Sequence, residues 1–252
     1  RRRRGGRRVG LGVLGVELEG ELVLLTLAHL DVLLAGQVAG GLGADEVATT
    51  PDGGLLLGIS SVSYATRIDP VTGRESWRWT CDCLNGFGLA ASNDWVYATS
   101  ALSGTVLAYD PAGREPLGRF TPTQSGYAWP LDIDRGPDGR LYAAGGEQGD
   151  VRDLDPATGQ VLGSWPTGGG GPHRISVGPD GTVFTLRFDG TVAAWASDGQ
   201  PLAAWPIDAV ATYPGGVPSD LAAGPNGRLY VLDSTSKAVL VYEPGPGTQP
   251  TP

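Results

Sequence analysis

PDGRLYAAGGEQGDVRDLDPATGQVLGSW, residues 137–165, comes back in altered form along the chain. Its variants are PDGGLLLGISSVSYATRIDPVTGRESWRW (51–79), NDWVYATSALSGTVLAYDPAGREPLGRF (93–120), PDGTVFTLRFDGTVAAWASDGQPLAAW (179–205) and PNGRLYVLDSTSKAVLVYEP (225–244). One glycine column reads Gly53, Gly139, Gly181, Gly227, with Asp94 standing where a further glycine would fall. A second reads Gly73, Gly113, Gly159, Gly199. The period is about 40–46 residues, which belongs to solenoids, propellers and arrays.

Each unit follows one local grammar. A short apolar run enters Pro-Asp-Gly or Pro-Asn-Gly, where proline presets φ and glycine takes φ > 0. A β-prone pair follows, such as Leu141-Tyr142, Val183-Phe184 or Leu229-Tyr230. After a polar turn comes an alternating strand, with Val151, Asp153 and Asp155 on one side and Arg152 and Leu154 on the other. Asp-Pro-x-Thr-Gly (69–73 and 155–159) makes another hairpin turn, and the unit closes on Trp79, Phe120, Trp165 or Trp205. That is four short strands per unit with no sustained 3.6-residue period, so the predicted fold is all-β, a β-propeller of four-stranded blades. Aromatics at repeat spacing are predicted to pack between blades.

Five units are clear. The last stops after its third strand and runs into PGPGTQPTP (244–252). Residues 27–42, LAHLDVLLAGQVAGGL, resemble a degenerate third and fourth strand, with Gly36-Gln37-Val38 echoing Gly159-Gln160-Val161. Six blades are therefore expected, the first degenerate, with five as the alternative. The predicted organisation is an atypical segment or closing strand at 1–44, propeller repeats at 45–244 and a linker-like tail at 245–252. Residues 1–44 hold no Pro, Ser, Asn, Lys, Phe, Tyr or Trp, unlike the rest of the chain. Arg1–Arg8 and Val9–Val16 read as a basic and a short apolar region, but Glu17, Glu19 and Glu21 interrupt the latter too early for a signal segment. The same charges, with Asp31, argue against a transmembrane span.

The net charge is −9 although six of the first eight residues are arginine, so the repeats are more acidic than the total. A nucleic-acid surface is not expected. Cys81 and Cys83 are separated by one residue, which places an unstrained disulfide near its distance limit. Unpaired thiols are favoured over a strained bridge, and two thiolates are too few to close a structural zinc site. The linker-like tail composition points to an extracytoplasmic or secreted domain, a monomer standing alone or within a larger chain.

The repeats resemble the NHL-type propeller, best at VPSDLAAGPNGRLYVLDSTSKAVLVYEP (217–244) and at 172–200, and across 45–244 in all. The Asp-Pro-x-Thr-Gly turns are also similar to YVTN-type and quinoprotein-type repeats. The NHL resemblance implies a protein-, RNA- or glycan-binding scaffold, or less often a lyase or lactonase. Protein or carbohydrate is the partner expected here, with no cofactor.

Chemistry, if any, is expected where inner strands begin. Seven residues before each turn glycine stand Glu46, Phe87, Asp132, Arg174 and Asp220, preceded by Asp45, Gly86, Leu131, His173 and Ser219. Glu46, Asp132 and Asp220 are hard oxygen ligands that would suit Ca²⁺, and carboxylates near His173 would suit acid–base work. The alternative function is thus a metal-assisted hydrolase, lactonase or lyase at the channel mouth. The same residues would equally serve as solvated mouth side chains, Asp132 or Asp220 pairing with Arg174. A resemblance to gluconolactonase-like (regucalcin-like) propellers would place metal ligands on Asp45 or Glu46, Leu131, His173 and Ser219. Leucine offers no donor atom, so the chain departs from that pattern.

Overall fold

In a computed structural model, the described residues are 46–59, 64–69, 71–80, 88–101, 103–110, 116–120, 130–145, 149–207, 220–233 and 238–243. They form five antiparallel sheets and no helix. Blade 1 comprises β1 (Glu46–Thr49), β2 (Leu55–Ile59), β3 (Tyr64–Ile68) and β4 (Glu75–Thr80). Blade 2 comprises β5 (Leu89–Ala91), β6 (Val96–Ser100), β7 (Thr105–Tyr109) and β8 (Pro116–Phe120). Blade 3 comprises β9 (Pro130–Arg135), β10 (Leu141–Gly145), β11 (Asp150–Leu154) and β12 (Val161–Pro166). Blade 4 comprises β13 (Pro172–Val177), β14 (Val183–Arg187), β15 (Thr191–Trp195) and β16 (Pro201–Pro206). Blade 5 has β17 (Asp220–Ala223), β18 (Leu229–Asp233) and β19 (Ala238–Tyr242).

Turn chemistry explains why each sheet is a meander. In the Asp-Pro-x-Thr-Gly turn, Asp155 Oδ1 accepts the backbone N–H of Ala157 (3.0 Å) and of Thr158 (2.8 Å). Gly159 then takes φ 69°, and its N–H returns to the Asp155 carbonyl at 2.8 Å. Asp69 repeats the arrangement with Val71 and Thr72. At the Pro-Asp-Gly turn, Gly139 adopts φ 86° and Asp138 Oδ1 accepts the N–H of Arg140. Side-chain capping and left-handed glycine thus return the chain on itself without a longer loop.

The core lies between blades. Leu56, Ala65 and Trp79 of blade 1 pack with Leu89, Val96 and Tyr109 of blade 2. Tyr97 and Val106 of blade 2 meet Ile133, Leu141 and Leu154 of blade 3. Trp165 of blade 3 packs with Ile175, Val183 and Trp195 of blade 4. Trp205 of blade 4 packs with Leu221, Leu229 and Tyr242 of blade 5. Trp79, Trp165 and Trp205 therefore occupy the inter-blade positions expected from their spacing. The side chain of Phe120 lies outside the described residues.

The described blades number five, the alternative count and not the favoured six. The proposed degenerate blade within 1–44, the cysteine pair and the tail at 245–252 all lie outside the described residues. Inner strands pack in the series β1, β5, β9, β13, β17, whose two ends do not pack on each other to the same extent. No helix among the described residues is long and apolar enough to cross a membrane.

Candidate functional site at the inner strands

The inner strands surround a cavity of about 380 Å³. Glu46 opens β1, Asp132 lies in β9 and Asp220 opens β17, and all three line the cavity with Asp134. The repeat count thus brings three carboxylates from blades 1, 3 and 5 to one space. Arg174 of β13 reaches them from the side, its Nε 3.5 Å from Asp220 Oδ1. His173 lies off the cavity wall. Its ring stacks on Phe188, with centroids 4.7 Å apart and planes 21° apart. Asp45, Phe87 and Ser219 lie outside the described residues.

The carboxylates have backbone duties. An inner strand is paired on one edge only, so N–H groups on its free edge need other acceptors. Asp132 Oδ2 accepts the N–H of Ile175 in the next blade at 2.8 Å, while Oδ1 accepts that of Ile133 at 2.8 Å. Two residues along, Asp134 Oδ2 accepts the N–H of Val177 at 2.7 Å and the hydroxyl of Ser176 at 3.2 Å. Ser176 Oγ in turn accepts the N–H of Ala223 in blade 5 at 3.0 Å. Side chains of one inner strand thus staple the backbone of the next. Asp220 Oδ1 accepts the N–H of Leu221 in its own strand at 2.9 Å.

Burial sets the electrostatics. It raises the carboxyl of Asp132 to about 7, with Asp220 adding repulsion and Arg174 and the two N–H donors opposing. Glu46 is pushed well above the carboxylate range by burial first, then by Asp132 and Asp220, against a partial offset from Arg174. Asp220 and Asp134 are also raised, both chiefly by burial. The cavity therefore shifts its carboxyl groups toward the protonated form, Asp132 to about 7. Among the described residues, no group of three or more His, Cys, Asp or Glu side chains is placed to hold a metal ion.

Asp134, Ser176 and Phe188 were not singled out by the sequence. Asp134 and Ser176 share a second column two residues after the first, which the same repeat alignment would have exposed. Phe188 is an aromatic at the tip of the β14–β15 turn, where the sequence of the blade 2 turn has Leu102 when Gly190 and Gly104 are aligned. It is 47% exposed and held from below by the buried His173 ring. The Arg187 guanidinium fixes the neighbouring 167–171 loop through the Thr167 carbonyl at 3.0 Å and pairs with Asp189 at 3.1 Å.

Gly88, just before β5, marks how closely blades 2 and 3 approach. A Cβ there would lie 2.5 Å from Asp132 Cα and 2.5 Å from Ile133 N. Backbone cannot retreat as a flexible side-chain tip can, so Gly88→Ala should cost about 1–3 kcal/mol. Chemical denaturation checks this, and a change within about 0.5 kcal/mol would show that the blades slide freely at this point.

No family model matches the chain, and no curated protein matches it. Solved structures do. A catalytically inactive virginiamycin B lyase from Staphylococcus aureus with quinupristin is similar at 13% identity and TM-score 0.64, covering 84% of this chain and 70% of that one. Kuenenia stuttgartiensis hydrazine synthase is similar at 16% identity and TM-score 0.62, over 83% of this chain and 68% of that one. The WD40 β-propeller domain of Doa1 is similar at 16% identity and TM-score 0.62, over 77% and 62% respectively. At such identities the likeness establishes the propeller fold alone.

Proposed function

We propose that this chain is an exported, NHL-like β-propeller scaffold that binds a protein or a glycan on the face where its inner strands begin. The observation that carries the reading is the commitment of the channel carboxylates. Asp132 and Asp134 spend their oxygens on backbone N–H groups of blades 3 and 4, and Asp220 on Leu221 and Arg174. A metal or an acid–base reaction would have to compete with those bonds. The opposite face is built of short, nearly identical turns at 136–140, 178–182 and 224–228. The favoured face instead carries connections of unequal length, 81–88, 121–129, 167–171 and 207–219. Unequal loops on a regular scaffold are where recognition is usually placed. The fold itself is neutral on this point, since it hosts lyases and interaction domains alike.

Two measurements separate this reading from the metal-assisted hydrolase. Added Ca²⁺ should leave the melting temperature unchanged. A site filled at a hundredfold excess over Kd would add about 2.7 kcal/mol, and a rise of that size lost in Asp132→Asn would establish the metal enzyme instead. On a glycan array, the chain should bind a defined set of sugars through stacking on Phe188, with Phe188→Ala losing the signal while its melting temperature holds. A signal that survives Phe188→Ala moves the contact elsewhere on the face.

A further inference from the structure

Among the described residues, Phe188 is the one aromatic side chain left exposed. Its ring is nevertheless held in place. One side stacks on the buried His173 ring, and the Phe188 N–H donates to the Gly171 carbonyl at 3.1 Å. A platform fixed in this way loses little freedom when a ligand covers it.

The surroundings of the ring are polar. Gly168, Gly169 and Gly170 lie against Arg187, Phe188 and Asp189 with no side chains of their own. A Cβ on Gly169 would stand 2.8 Å from Asp189 Oδ2, and one on Gly170 would stand 3.6 Å from Phe188 Cβ. All three glycines are exposed, and their N–H groups have no hydrogen-bond partner among the described residues. The Asp189 carboxylate is exposed as well. Arg187 is already engaged. Its Nη1 donates to the Thr167 carbonyl at 3.0 Å, its Nε donates to Asp189 Oδ1 at 3.3 Å, and its Nη2 stands 3.1 Å from Asp189 Oδ2.

One fixed ring beside open N–H donors and a carboxylate selects among ligands. A protein partner would cover a ring set in an apolar patch, whereas the neighbours of Phe188 in the strap and the turn are glycine, arginine and aspartate. A pyranose has C–H groups on one face and, at its edge, hydroxyls that both donate and accept. Such hydroxyls suit unpaired N–H groups and a carboxylate together. An acidic sugar fits poorly, because Arg187 is taken by Asp189 and the chain carries a net charge of −9. Resting on the glycan side of the scaffold reading above, we infer that Phe188, Asp189 and the 168–170 backbone form a subsite for one neutral hexopyranose ring. Its C–H face lies on Phe188, and its edge hydroxyls meet the Gly169 and Gly170 N–H groups and the Asp189 carboxylate.

An NMR titration of the full chain with methyl β-glucopyranoside, methyl β-galactopyranoside and methyl β-glucuronide tests this. At least one neutral glycoside should shift the Gly169 and Gly170 amides saturably. The glucuronide should bind roughly tenfold more weakly, since it sets a second carboxylate beside Asp189. Phe188→Ala should abolish the shifts. Gly170→Ala is the finer probe. Gly170 has no left-handed φ, and the added methyl meets Phe188 Cβ at an ordinary distance, so the melting temperature should hold while binding weakens several-fold. Val71→Ala, in the β3–β4 turn on the opposite face, should change neither. Glucuronide binding as tight as that of the neutral glycosides, or shifts that survive Phe188→Ala, overturns the assignment. So does a glycan-array signal from a chain whose 168–171 amides neither neutral glycoside moves, an outcome that leaves the scaffold reading standing. Saturable shifts at Gly169 and Gly170 in a chain that captures no glycan or protein would keep the subsite and sink the scaffold reading.

Discussion

Trp165→Ala should lower stability by about 3–5 kcal/mol, the usual range for removing a large buried aromatic. The Trp165 ring is 7% exposed and packs with Ile175, Val183 and Trp195, so it is shared between blades 3 and 4. It also lies edge-on to Tyr142, with centroids 6.3 Å apart. The loss should therefore exceed what one blade would suffer from a surface change. Trp165→Phe is the informative control. Trp165 Nε1 is buried and has no hydrogen-bond partner among the described residues, so replacing the indole by a phenyl ring removes a desolvated donor together with some volume. The two effects oppose, and Phe should cost under about 2 kcal/mol, within the ordinary range for point mutants. Denaturation midpoints of the two variants test the pair. A loss under about 1 kcal/mol for alanine would mean that blades 3 and 4 do not share a cooperative core.

That position was legible from sequence because the signal is periodic. Trp79, Trp165 and Trp205 recur at one place in the unit, and each turn is written locally by Asp, Pro and Gly. Blade architecture follows from such short-range information. The role of the channel carboxylates does not. Asp132 bonds to the N–H of Ile175, forty-three positions on, and only the ring geometry sets those two groups side by side. From sequence, Asp132 is a polar residue at a mouth. In the structure it is an acceptor for a strand edge that would otherwise lack one. The sequence leaves the number of blades between six and five for a related reason, and the described residues form five. A fourth strand for the last blade is a long-range partner, and the segment expected to supply it echoes the other units at Gly36-Gln37-Val38, without their Pro-Asp-Gly or Asp-Pro-x-Thr-Gly turns. Phe188 was missed because it lies in the β14–β15 turn, outside the columns counted back from the turn glycines.

Stability should fall as pH rises from about 4 to about 7 and then level off, the reverse of ordinary acid denaturation. Buried Asp132 has its carboxyl raised to about 7 from an ordinary 3.8 by desolvation, with Arg174 and the N–H donors of Ile175 and Ile133 opposing that rise. A group whose folded pKa lies above its unfolded value binds protons more tightly when folded. Its contribution is complete below the unfolded pKa and is lost as pH climbs to the folded one. For Asp132 the shift corresponds to a change on the order of 4 kcal/mol across the window. Glu46, Asp134 and Asp220 are raised as well and act in the same direction, whereas Asp52, Asp69, Asp155 and Asp189, which are far less buried, are lowered and act against them. Asp132→Asn removes one titration and keeps one carbonyl oxygen for the Ile175 N–H, while its amide nitrogen cannot accept the N–H of Ile133. The variant should therefore be less stable than the parent at pH 5, and near parity or slightly better at pH 8, where the parent buries a charge. Urea midpoints at pH 5, 6, 7 and 8 decide the matter. If the parent gains stability over that range, the backbone donors and Arg174 outweigh burial, and Asp132 holds blades 3 and 4 together as a carboxylate throughout.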